Sequence, residues 1–100
     1  MLNIDLVKQD NEGELVLVGE LDVNTAPGAE KIMLDAVNRF DRVILNMERV
    51  SYVSSAGLRA MKRANIQMRR KGGTLALKNV TKPVREVLEL TGFAVVFKII

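Results

Sequence analysis

The residues of this chain with the potential for chemistry gather at one junction. In VSYVSSAGLRAM two adjacent hydroxyls, Ser54 and Ser55, stand between an apolar run and a helical pattern. A nucleophilic serine needs an activating base. The chain has neither histidine nor cysteine, and no Gly-x-Ser-x-Gly or Ser-x-x-Lys pattern surrounds the pair, so catalysis by either serine is not expected. Two other uses of a serine at a helix start remain. Its oxygen can accept one of the first-turn N–H groups that lack an intrahelical partner. Alternatively it can carry a phosphate, which the same N–H groups and the helix dipole favour. Such a phosphate adds about −1.5 to −2 charges at neutral pH, close in sequence to Arg59 and Lys62. Spacing alone allows either serine to be the cap.

The other polar groups are less suggestive. Glu20, Asp22 and Asn24 lie near one another in GELDVNTAP. Paired carboxylates can hold magnesium or move protons, but no second acidic cluster completes such a site, and loop bracing, helix capping or partner contact is the better expectation. With no histidine or thiolate, a metal site and a cofactor are not expected. From Arg59 to Lys71 the chain carries Arg59, Lys62, Arg63, Arg69, Arg70 and Lys71 without an acidic residue, although the net charge is only +3. A basic helix face suits nucleic acid, an acidic membrane or an acidic protein. No aromatic residue interleaves with these cations, and a glycine pair and a strand follow the helix, which argues against nucleic acid. Ile66 falls among Arg59, Lys62, Arg63 and Arg70, away from the helix's apolar stripe, where it suits an apolar contact inside a charged interface.

These residues must be positioned by a small fold. One hundred residues, 48% of them apolar and 27% charged, suit one globular domain over 1–100. No run is apolar enough for a bilayer, and MLNIDLVKQD lacks the pattern of a signal peptide, so a cytoplasmic, membrane-free protein is expected. LNIDLVKQ and ELVLVGEL read as strands of a hairpin with NEG as the turn. Ala29, Ile32, Met33, Ala36, Val37 and Phe40 recur at helical spacing behind Pro27, with Asn24 or Thr25 as cap. RVILNM reads as a buried strand leading through ERVSYV as a loop into the helix that carries Leu58, Met61, Ala64 and Met68 and ends at Gly72-Gly73. TLALKN is a strand, Pro83 opens a third helix that Gly92 ends, and AVVFKII is a last strand. The order β-β-α-β-α-β-α-β implies an α/β fold: a mixed sheet of about five strands, with helices packed mainly on one face.

GELDVNTAP, VILNMERVSYVSSAGLRAM and NVTKPVREVLELTGF, in this order and spacing, resemble the STAS-domain anti-sigma factor antagonists of bacterial partner-switching systems. The resemblance spans essentially the whole chain. It implies a non-enzymatic switch that, unphosphorylated, binds an anti-sigma factor serine kinase of the GHKL type and frees a sigma factor. Phosphorylation by that kinase ends the binding, and a PP2C-type phosphatase restores it. The family's acceptor word, Asp-Ser-(Ser/Thr/Ala)-Gly-Leu, aligned on Gly57 and Leu58, places the acceptor on Ser55, with Ser54 as the alternative. Ser54 stands where the family carries Asp, Asn46 stands where it frequently carries another, and its acidic loop residue falls on Asp22. Partner contact is then expected from Asp22, Asn24, Thr25, Ser54, Ser55, Ala56, Gly57, Leu58, Arg59, Lys62, Arg63 and Ile66. The rival expectation is a STAS scaffold or accessory subunit without a phosphorylation cycle, either transporter-associated or nucleotide-binding.

Overall fold

The computed structural model describes residues 1–100. Strands β1 (Leu2–Gln9) and β2 (Glu12–Leu21) form the opening hairpin. Helix α1 (Ala26–Arg39), strand β3 (Arg42–Val53), helix α2 (Ser55–Arg70), strand β4 (Thr74–Lys78) and helix α3 (Lys82–Leu90) follow. A 3-10 turn, Phe93–Val95, and the two-residue strand β5 (Lys98–Ile99) end the chain. The sheet order is β1-β2-β3-β4-β5, antiparallel between β1 and β2 and parallel elsewhere.

That order fixes where the helices go. Each parallel crossover steps one strand over in the same direction, and right-handed crossovers then place α1, α2 and α3 on one face. The strands supply that face with alternate residues. Leu15 and Leu17 of β2, Val43, Leu45 and Met47 of β3, and Leu75 and Leu77 of β4 are buried in a single core with Met33 and Val37 of α1, Met61 and Met68 of α2, and Leu88 of α3. The opposite face carries polar cross-strand links. Glu12 pairs with Arg42 at 3.4 Å and Glu14 with Lys78 at 3.4 Å. Asn46 Nδ2 donates to Glu14 at 3.0 Å.

Four local expectations need correction. The hairpin turn is Asp10-Asn11, with Asp10 at φ 54°, while Glu12 and Gly13 belong to β2. A two-residue hairpin turn calls for a left-handed residue, which Asp tolerates. ERVSYV is no loop, because β3 keeps pairing with β2 to its end, Val18 with Arg49 and Leu21 with Val53, across two register shifts. AVVFKII is strand only at Lys98–Ile99. Phe93 and Phe97 stack at 6.0 Å one helical turn apart, and that anchoring keeps the preceding valines out of the sheet. Ile32 is exposed rather than part of the α1 stripe, whose buried members are Ala26, Ala29, Met33, Ala36 and Val37.

Candidate functional site

The site forms where β2 and β3 end side by side, Leu21 opposite Val53. The Ser54 N–H donates to Leu21 O at 2.8 Å, which holds the last residue before α2 against the end of β2. Ser54 is extended, at φ −86° and ψ 172°, and its Oγ accepts the Gly57 N–H at 3.2 Å. The helix cap is therefore Ser54, while Ser55 is the first helical residue and is exposed. The Leu58 N–H closes the first turn on Ser54 O at 2.9 Å. This leaves the Ser55 and Ala56 N–H groups without a protein acceptor, at the positive end of a 16-residue helix. Neither serine oxygen bonds a basic side chain.

Gly57 makes this junction possible. A Cβ there would stand 2.7 Å from Leu21 O and 3.1 Å from Leu21 Cβ. Only glycine lets the first turn of α2 rest on the main chain of β2.

Across the junction, the loop from Leu21 to Thr25 is braced by Asp22. Its Oδ1 accepts the N–H groups of Asn24 and Thr25, both at 2.9 Å. Thr25 Oγ1 accepts the Asp22 N–H at 2.9 Å and donates to Glu20 O at 2.7 Å. The Thr25 N–H foremost, with that of Asn24, holds the Asp22 carboxyl below its ordinary value, against the opposing effect of partial desolvation. Thr25 occupies the cap position of α1, yet its side chain ties the loop and does not cap the helix. Asn24 offers only its main chain, and its side chain is exposed.

Helices α1 and α2 leave between them a shallow groove of about 320 Å³, bordered by Val23, Pro27, Ala56 and Arg59 among others. Arg63 crosses it, with Nε at 2.9 Å and Nη2 at 2.7 Å from Glu30 Oε1. This carboxylate raises the Arg63 guanidinium further above its already high value. The basic face is thus smaller than its sequence suggests. Arg63 is held by Glu30, and Lys71 donates to Val37 O at 2.7 Å and Phe40 O at 3.2 Å at the end of α1. Arg59, Lys62, Arg69 and Arg70 have no carboxylate partner. Lys62 Nζ lies 5.9 Å from the centre of the Phe93 ring. Ser55, Arg59, Lys62 and Ile66 share one outward face of α2 by their spacing, and Ile66 is 38% exposed.

The structure brings Asp22, Asn24, Thr25 and Ser54 to Arg59 together around the junction, sets Arg63 across the groove, and places Lys62 and Ile66 farther along α2. Sequence reasoning passed over three neighbours: Glu30, the anchor of Arg63, and the exposed Val23 and Tyr52. An apolar residue inside the polar stretch DVNT was the available signal for Val23. Asn46, on the helix-free face, bonds Glu14, the Glu48 N–H and Asn79. No three Asp or Glu side chains converge as a metal site. No helix is long and apolar enough to cross a membrane.

Comparison with known proteins agrees with this architecture. The family model described as the STAS domain matches residues 3–100. A Bordetella bronchiseptica protein named "Putative anti-sigma factor antagonist BtrV" is 35% identical over 92 residues, covering 88% of this chain and 78% of that protein. A crystal structure of a "putative anti-sigma factor antagonist" from Thermotoga maritima superposes with a TM-score of 0.89 at 23% identity, over 96% of this chain and 84% of the other. The Bacillus cell fate determinant SpoIIAA, in its phosphorylated form, gives 0.75 at 20% identity, over 98% and 91%. At those identities the two structures speak for the fold.

Proposed function

The chain belongs to the STAS domain family, and on that premise we propose that it is an anti-sigma factor antagonist, a single domain over residues 1–100, switched by phosphorylation at Ser55. Unphosphorylated, it binds an anti-sigma factor that is a GHKL-type serine kinase, through the junction and the outward face of α2. Phosphorylated, it lets go, and a PP2C-type phosphatase resets it. It is a cytoplasmic binding protein and not an enzyme. The antagonist role draws support from the relative BtrV. The observation that carries Ser55 is the division of labour between two neighbouring hydroxyls. Ser54 Oγ is used as the cap, whereas Ser55 is exposed beside two unsatisfied N–H groups.

The physics of the switch follows from that position. A phosphate on Ser55 meets the free N–H groups and the helix dipole, so the fold tolerates it. Arg59, one turn on and free of a carboxylate partner, can pair with it. Both effects remove cationic and donor groups from the partner's reach and place a dianion in the contact surface. A coupling of about 1–3 kcal/mol changes affinity roughly 5- to 150-fold.

The test is intact mass after incubation with the partner kinase and ATP, followed by site mapping. One phosphate on Ser55 is expected. Phosphate on Ser54 alone would refute the acceptor assignment, and no transfer would favour a scaffold without a cycle. In calorimetry against the same kinase, Ser55→Ala binds like the unmodified chain and Ser55→Asp binds at least tenfold more weakly. Ile66→Asp weakens binding strongly while the domain stays folded, and normal affinity would remove Ile66 from the contact surface.

A further inference from the structure

Helix α2 ends at Arg70, and its last turns face a second concavity that the Ser55 switch does not use. Arg69 lies 14 residues beyond Ser55 in the same helix, roughly 20 Å along its axis. There a cleft of about 410 Å³ opens between α2 and the segment leading into β5. Arg69 lines one wall and Lys98 the other, neither has a carboxylate partner, and no acidic residue lines the cleft. Val95 stands on the β5 side, 91% exposed, and Leu90, at the end of α3 just before this segment, is 88% exposed.

The cleft is also built and not a surface accident. Asn65, the only polar residue in the buried set and 5% exposed, interrupts the apolar side of α2 here. Its Nδ2 donates to Val96 O at 3.2 Å and so fixes the wall that presents Val95. Its Oδ1 accepts no bond from the protein, and no buried side-chain oxygen or nitrogen in the molecule lacks a partner. Asn65 itself lines the cleft. A singly exposed apolar side chain means little. An exposed valine sharing one cleft with two unpaired cations is a recognisable pattern: an apolar contact within a charged rim.

We propose that this cleft is a docking site for an acidic segment of a protein partner, one whose carboxylates bridge Arg69 and Lys98 and whose apolar side chain covers Val95. The charge of the walls selects the sign of the occupant, and the exposed apolar surface selects a protein segment over a small anion. The site stands apart from Ser55, roughly 20 Å along α2.

The probe is a short acetylated and amidated peptide alternating glutamate and leucine, titrated into the full chain while backbone amide resonances are followed by NMR. Saturable shifts are expected at Asn65, Arg69, Val95 and Lys98. The double variant Arg69→Glu, Lys98→Glu is expected to weaken the peptide at least tenfold. Both side chains are exposed, so the fold should survive, and Val95→Asp provides an independent check with the same expected direction. Three results would overturn the proposal: equal shifts from inorganic phosphate alone, which would make this a small-anion site; shifts spread along the cationic face of α2 and insensitive to the variants; or no saturation at all. Because neither Ser55 nor a kinase enters the experiment, its outcome is separate from that of the phosphorylation test.

Discussion

The two ends of α2 are finished in opposite ways. At the C-terminal end three of the last four carbonyls are engaged: Lys71 N–H donates to Gln67 O, Gly72 N–H to Arg69 O and Gly73 N–H to Met68 O. The Lys71 ammonium then turns away to satisfy Val37 O of α1 and Phe40 O just beyond its end. At the N-terminal end a single hydroxyl, Ser54 Oγ, serves one N–H and leaves two open. A helix end whose groups are mostly engaged by the chain itself is structure. One with donors left over, beside an exposed hydroxyl, has capacity for an anion that the folded chain does not itself supply.

The largest break in this contrast should come from Gly57→Ala. The new methyl meets Leu21 O at 2.7 Å, and main chain cannot yield as a side-chain tip can. Overpacking of this kind costs about 1–3 kcal/mol, and the better helix propensity of alanine recovers less than about 1 kcal/mol of it. Urea denaturation should show a net loss, and the junction should lose partner binding as well. An unchanged midpoint would mean that α2 does not rest on β2 as described.

Next in size is a matched pair that separates the two ends. Ser54→Ala removes the cap and should cost about 1 kcal/mol. Lys71→Met strips a charged donor from two carbonyls at the end of α1 and should cost a similar amount, about 1 kcal/mol, because the site is partly solvated. Their effects on function should differ. Ser54→Ala frays the turn that presents Ser55 and so slows phosphate transfer, while Lys71→Met leaves transfer unchanged. Equal effects on transfer would erase the distinction between the two ends. Ser54→Asp sharpens it further: the carboxylate keeps the cap and suits the dipole, yet stands beside any phosphate on Ser55 and should raise that phosphate's second pKa in a phosphorus NMR titration.

The same contrast explains what was legible beforehand. The helices were readable because their stripes are periodic: Leu58, Met61, Ala64 and Met68 are all buried where the 3.6-residue repeat puts them. The sheet and its one-sided helices followed from element order and crossover handedness. The segments misread were those set by tertiary pairing. ERVSYV has no strand-like alternation because two register shifts re-aim its side chains against β2. AVVFKII has strand composition, yet Phe93 and Phe97 anchor it as a turn. At the site, the serine pair was visible in sequence but its assignment was not. Which hydroxyl reaches the Gly57 N–H depends on Ser54 being pinned to Leu21 O, a contact between residues 33 apart in sequence. Glu30 was hidden for the same reason, since its partner Arg63 comes from another helix.

The smallest predicted effect concerns the other half of the junction, where Asp22 braces the loop facing α2. Its carboxyl lies below its ordinary value because the Thr25 and then the Asn24 N–H groups favour the ionised form. The folded state therefore holds the proton less tightly than the unfolded chain does. The stabilisation is fully present above the unfolded value of about 3.9 and is lost as the pH falls through the lower folded value. Asp22→Asn keeps an oxygen acceptor in place and removes only the charge. The thermal midpoint of the parent chain should exceed that of the variant by a constant small margin from neutral pH down to about pH 4, and the margin should close below it. A margin unchanged through that acid range would make Asp22 an acceptor whose charge is immaterial. A closing margin would show that the loop side of the junction is held by an anion already built into the chain, while the α2 side keeps its donors open for one that is added.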